Sequence, residues 1–136
     1  MHTQNSLIPL DNMMATGEFH DPDQALQVLK ASLQALRDRL PKVEAFHLGT
    51  LLPESLRHSY FDGWKHDQRL AQSLNKSEFL AEVEDHLIGF EDHSLGDLVP
   101  VALQTVLDLI GEEAEKVKQA LPRSMRDIFQ AGQSMS

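Results

Sequence analysis

The chain has 136 residues, a net charge of −9, an apolar fraction of 41% and a charged fraction of 24%. That is ordinary globular composition at a size where one core suffices. With no cysteine, disulfides, thiol nucleophiles and thiolate metal sites are excluded, and a reducing cytoplasm is the expected compartment. No apolar run reaches the roughly 18 residues of a membrane span, and the N-terminus lacks the basic flank and long apolar centre of a secretion signal. Between Lys76 and Lys116 lie eleven acidic residues and no Lys or Arg. Such a surface repels phosphate, so nucleic acid is not the expected partner, even with Lys116, Lys118, Arg123 and Arg126 grouped beyond it.

Residues 1–20 show neither a helical nor an alternating period, which predicts a flexible N-terminal arm. Asp21-Pro22-Asp23-Gln24 is a helix start: Asp21 can cap, Pro22 suits the first turn, and Gln24 holds the capping-box position. Leu26, Leu29, Leu33, Leu36 and Leu40 follow at alternating steps of three and four, predicting one apolar stripe on a helix of about 27 Å. Pro41 closes this element. Val43, Phe46, Leu48 and Leu51 fit a short helix, which Pro53 interrupts. A third helix is expected from about Pro53 to Phe61, ended by Asp62-Gly63. Trp64 to Leu74 reads equally as loop or as helix.

Asn75-Lys76-Ser77-Glu78 is a second capping box, and Phe79, Leu80, Val83, Leu87 and Phe90 predict a helix from Lys76 to Ile88 that Gly89 helps to stop. Ser94 to Asp97 repeats the cap before Leu98, Ala102, Val106 and Ile110, with Pro100 expected in the first turns and Gly111 at the end. A short helix from about Glu112 to Ala120 and another from Pro122 to about Gln130 complete the chain. Nothing alternates at a period of two, so no strand is expected.

The chain also resembles itself. Leu52-Pro53-Glu54-Ser55-Leu56-Arg57-His58-Ser59-Tyr60 aligns with Leu121-Pro122-Arg123-Ser124-Met125-Arg126-Asp127-Ile128-Phe129. Upstream, Ala45 and Leu48 align with Ala114 and Val117. After a one-residue gap, Leu33-Gln34 and Leu40 align with Leu103-Gln104 and Ile110. A long helix, a short helix and a proline-started helix thus occur twice in the same order. The expected architecture is all-α: a compact bundle of about six to seven helices with an internal pseudo-two-fold repeat. After the arm 1–20, one domain spans 21–132, with unit one at about 21–64, a connector helix at about 75–90 and unit two at about 94–130.

Leu36-Arg37-Asp38-Arg39-Leu40, Glu44-Ala45-Phe46-His47-Leu48-Gly49, Leu52-Pro53, Arg57 and Tyr60-Phe61-Asp62-Gly63-Trp64 carry a family pattern, extended by Glu78-Phe79-Leu80 and Leu121-Pro122. The pattern resembles the family catalogued as domain of unknown function 2267, over roughly residues 25–130. The resemblance implies a largely bacterial helical domain of unassigned function and brings no catalytic residues. The segment after Trp64 departs from the charged, proline-containing form associated with that family.

No catalytic constellation is complete. Ser55, His58 and Asp62 lack a nucleophile turn or oxyanion-hole motif, and no phosphate-binding glycine loop occurs, so no cofactor is expected. Glu44-x-x-His47 has the spacing of carboxylate-bridged metal bundles, but the repeat-equivalent residues are Glu113 and Lys116, and an ammonium cannot replace an imidazole. Glu82 with His86, near Asp92-His93, makes a second candidate set. Arg57 and Arg126 occupy equivalent places in the two units, suited to a shared structural bond or to an anionic ligand between the units. Tyr60, Phe61 and Trp64 gather three of the eight aromatics in five residues, as a core staple or as an anchor for a partner protein or a second copy of the chain. Taken together, these features predict a non-enzymatic helical interaction or regulatory module. The alternatives are a Glu/His metal-binding bundle and binding of a small anion between the units.

Overall fold

The computed structural model describes residues 10–15, 19, 22–64, 76–87 and 95–121. They form helices α1 (Leu10–Ala15), α2 (Pro22–Arg39), α3 (Lys42–Leu51), α4 (Glu54–Phe61), α5 (Lys76–Asp85), α6 (Leu95–Ile110) and α7 (Ala114–Ala120). A 3-10 turn at Gly111–Glu113 joins the last two, and no strand occurs among the described residues. The all-α reading therefore holds.

Helix α2 is the axis of the bundle. Its charges suit the helix dipole, with Asp23 in the first turn and Arg37 and Arg39 in the last. Leu29, Leu33, Leu36 and Leu40 are buried as the stripe requires, and Leu26 is half-buried at its edge. Yet Ala25, Val28, Ala31, Ser32 and Ala35 are buried too, because α2 is packed on several sides at once, by α1, α4, α5 and α6. Small side chains let these neighbours approach, and most of the helix surface is core.

Helix α6 makes the most extensive contact with α2. Leu98, Ala102, Val106 and Ile110 are buried, and so are Val99, Leu103 and Leu107. Pro100 lies inside this helix, further in than the first turn, so the bond its amide would have made to the carbonyl of residue 96 is missing. Gly111 then turns the chain with φ of 61°, a value that favours glycine. On α5, Phe79 and Val83 enter the core and Leu80 packs on its margin.

Within the stretch expected to be a flexible arm, Leu10–Ala15 is helical, and Met13 and Phe19 are buried. This short element packs on α2 and α6 with Met13 in the core, and six residues are too few to show a period. The remaining differences are at ends. Helix α5 stops at Asp85, and Ile88, Gly89, Phe90 and the alternatives read for 65–74 lie outside the described residues, as does the helix expected from Pro122.

Helices α3 and α7 end alike. Leu52 leaves α3 at φ −82°, ψ 152°, and Leu121 leaves α7 at φ −85°, ψ 151°. Each donates its amide to the carbonyl three residues back at 3.3 Å, Leu52 to Gly49 and Leu121 to Lys118. Both leucines are buried, and each precedes a proline, which drives the preceding residue out of helical angles.

Candidate functional site

The most unusual surface lies where α3 meets α4. Helix α3 sits on α4, α6 and α7 through Ala45, Leu48 and Gly49, continued by buried Leu52. The opposite side carries Val43 and Phe46, 75% and 57% exposed, the two large apolar side chains described as open to solvent. The stripe expected from Val43, Phe46, Leu48 and Leu51 is thus divided between two faces. Small Ala45 and Gly49 take the inward places that size alone assigns to Phe46.

Gly49 explains this choice. A β-carbon there would stand 2.2 Å from Cζ and 2.6 Å from Cε2 of Phe61, and 2.9 Å from Cε2 of Tyr60. Only a bare backbone admits the two rings. Tyr60 goes fully inside and donates its hydroxyl proton to the Ala45 carbonyl at 2.7 Å, fastening α4 to α3. Burial pushes its phenol well above the ordinary 10.0, with Arg37 opposing the shift and Asp38 adding to it.

Phe61 stays half-buried and becomes the hub of an aromatic row. Its ring centroid is 5.1 Å from Tyr60 in an edge-on arrangement, 5.8 Å from Phe46 and 5.7 Å from Trp64. Helical spacing alone puts Tyr60 with Trp64 and sends Phe61 elsewhere. The helix ends at Phe61, however, where Asp62-Gly63 was expected to stop it, and Gly63 reverses the chain at φ 75°. Trp64 then donates its amide to the Phe61 carbonyl at 3.1 Å, beside that residue's ring. Of the three proposed aromatic anchors, Tyr60 is internal, while Phe61 and Trp64 form an edge continuous with Phe46.

Two arginines lock this corner. Arg37, only 4% exposed, donates Nη1 to the carbonyls of Tyr60 at 2.8 Å and Asp62 at 2.9 Å, and Nε to Asp38 at 2.8 Å. With Gln34 donating to the Ser59 carbonyl at 2.7 Å, helix α2 satisfies the carbonyl end of α4. Arg57 treats α3 in the same way, donating Nη2 to Leu52 at 2.8 Å and Nε to Gly49 at 3.3 Å. Arg57 stands out in the sequence through its repeat partner, whereas Arg37 stands out only within the family pattern. An arginine on the inner half of a leucine-rich helix was the available signal. Arg126 lies outside the described residues.

The candidate metal ligands are spread over different elements and partners. His47 on α3 approaches Glu113 at 3.4 Å, and Glu113 also meets Lys116 at 3.5 Å. The hydrogen bond with His47, then the Lys116 charge, hold the Glu113 carboxyl below its ordinary range. Glu82 forms a two-pronged ion pair with Arg39, one contact at 3.1 Å, and His86 faces Asp38 at 4.0 Å. Glu44 stays with α3. Among the described residues no three His, Asp or Glu side chains are grouped as a metal ion would need, and Asp92 and His93 lie outside those residues. Nor is any helix among them long and apolar enough to cross a membrane.

Comparison with curated proteins finds no match. The family model described as "Uncharacterized conserved protein (DUF2267)" matches residues 9–128. It runs from the start of α1 to beyond α7 and takes in the whole aromatic corner with its arginine clamps, so the chain belongs to that family.

Proposed function

We propose that this protein is a non-enzymatic helical interaction or regulatory module of the bacterial cytoplasm that meets a protein partner through the outward face of α3. The carrying observation is the exposure of Val43 and Phe46 on a rigidly mounted helix. Leaving such side chains in water forgoes roughly 1.5–3 kcal/mol each, of which the contact between Phe46 and Phe61 recovers only a part. An aromatic in the middle of a patch is also the residue type that dominates binding energy. The mounting supports the same reading. Gly49, Tyr60 and the two arginine clamps fix the helix, so a partner would meet a preformed surface.

The duplicated pattern belongs to this proposal. The long helices α2 and α6 lie against each other, and α3 and α7 end in the same geometry, which is what a gene-duplicated pair of units closing on a common core would produce.

The chain has no cysteine, so footprinting is clean. Single-cysteine variants Val43→Cys and Glu84→Cys, the second on exposed α5 surface, are labelled with a maleimide as pure protein and within the host cell. Selective slowing at position 43 in the cell is expected. Equal rates in both settings at both positions would refute the proposal.

A further inference from the structure

Phe61 joins two surfaces. One side of its ring meets Phe46, and the ring also lines an open groove of about 460 Å³ with Glu54, Arg57, His58 and Asp62. A ridge formed by Val43 and Phe46 therefore runs beside a trough with an aromatic wall. The spacing of three between Val43 and Phe46 matches what one amphipathic helix presents to another.

The charges around this relief select the partner. Glu54 and Asp62 border the groove, and Glu44 adjoins Val43 in the helix. Arg57 keeps its positive charge on the groove wall while donating to the Gly49 and Leu52 carbonyls, so Glu54 and Asp62 exceed it by one negative charge there, and Lys116 is paired with Glu113. Among the described residues Lys42 adds open positive charge. The whole chain carries −9, which attracts a cation and repels a second copy. Area argues against a second copy as well. Val43, Phe46 and the open edges of Phe61 and Trp64 offer on the order of 300 Å² of apolar surface, where the apolar part of a standard stable interface is roughly 450 Å² per partner.

Resting on the interaction role proposed above, we infer that this ridge and groove dock a basic amphipathic helix of another protein. Its apolar face would lie on Val43, Phe46 and Phe61, and its Lys or Arg flank would face Glu54, Asp62 and Glu44. This is the helix-in-groove mode with an electrostatic filter.

The test uses three model helices of roughly 18 residues, about five turns, with identical leucine faces and polar faces made of Lys, Glu or Gln. Trp64, the only tryptophan, reports binding by its emission, and light scattering reports stoichiometry. The lysine helix is expected to bind one to one, at least about tenfold tighter than the glutamate helix. Phe46→Ser or Val43→Ser should each weaken it by about tenfold or more, and both positions are exposed, so the fold is kept. Replacing Glu54 by Gln together with Asp62 by Asn should weaken it about fivefold and flatten its salt dependence.

Equal or tighter binding of the glutamate or glutamine helix, still lost with Phe46→Ser, overturns the charge selection and leaves the interaction surface standing. Lysine-helix binding that Phe46→Ser and Val43→Ser do not change overturns the docking site itself. A dimer of the free chain that Phe46→Ser dissolves assigns the surface to a second copy and overturns the inference.

Discussion

Replacing Gly49 by alanine sets two effects of opposite sign against each other. Alanine is the better helix former by about 0.5–1 kcal/mol, which on an exposed helix would stabilise. Here the new methyl would stand 2.2 Å from Phe61 Cζ and 2.9 Å from Tyr60 Cε2. Tyr60 is buried and held by its bond to the Ala45 carbonyl, so Phe61 must move. Overpacking costs about 1–3 kcal/mol, a range that includes loosening the ring contacts of Phe61 with Tyr60, Phe46 and Trp64. The clash outweighs propensity, leaving a net loss of about 1–2 kcal/mol. For a chain of this size that lowers Tm by about 4–7 °C. Circular dichroism melting reads the shift, and Trp64 emission should move red as its neighbouring ring departs. Combining Gly49→Ala with Phe61→Leu should recover part of the loss, because the two sites are coupled. A Tm equal to or above the parent would show that propensity rules this helix and that the close approach of α3 and α4 is misjudged.

Three further outcomes are expected. Arg37→Met strands the carbonyls of Tyr60 and Asp62 and should cost about 2–4 kcal/mol, read as a lower urea midpoint; an unchanged midpoint would show that the clamp contributes nothing. Ser32→Ala removes a buried hydroxyl without a hydrogen-bond partner and gains helix propensity, so stability should rise by about 1 kcal/mol; a clear loss would reveal a bond this geometry lacks. Tyr60 is the only tyrosine, so its ionisation is visible by ultraviolet absorbance. Burial raises its folded pKa above 10.0, so its contribution to stability is complete below pH 10 and is lost as pH rises above it. Tyrosinate should appear together with unfolding, and Tyr60→Phe should flatten that alkaline decline; tyrosinate forming near pH 10 with the helices intact would refute the buried hydroxyl.

The helices were legible where the chain announces them by caps, prolines and leucine spacing. Pro22, Pro53, Gly63 and Gly111 fall at the starts and ends read for them, because those residues act through local backbone angles that no distant contact alters. What the period could not reveal is how many neighbours each helix has. The alanines and Ser32 of α2 carry no apolar signal of their own, yet they are buried because several helices converge there. The same blindness inverted α3. Phe46 outweighs Ala45 and Gly49 by hydrophobicity, but packing against Tyr60 and Phe61 demanded small residues inward and sent Phe46 out. Similarly, Glu44 with His47 and Glu82 with His86 had ligand spacing along the sequence. Whether two such pairs meet depends on helix placement, and the structure engages His47, Glu82 and His86 with three different partners. The α1 anchor was hidden for a different reason, since six residues hold too few turns to show a stripe.

The proposed meeting of the α3 face with another protein can be captured in the cell. A photo-crosslinking amino acid placed at position 46 in the growing host, with position 84 as the control, tests it most directly. One discrete heterologous adduct from position 46 and none from position 84 is predicted. The same adducts from both positions, or none from position 46, would contradict it.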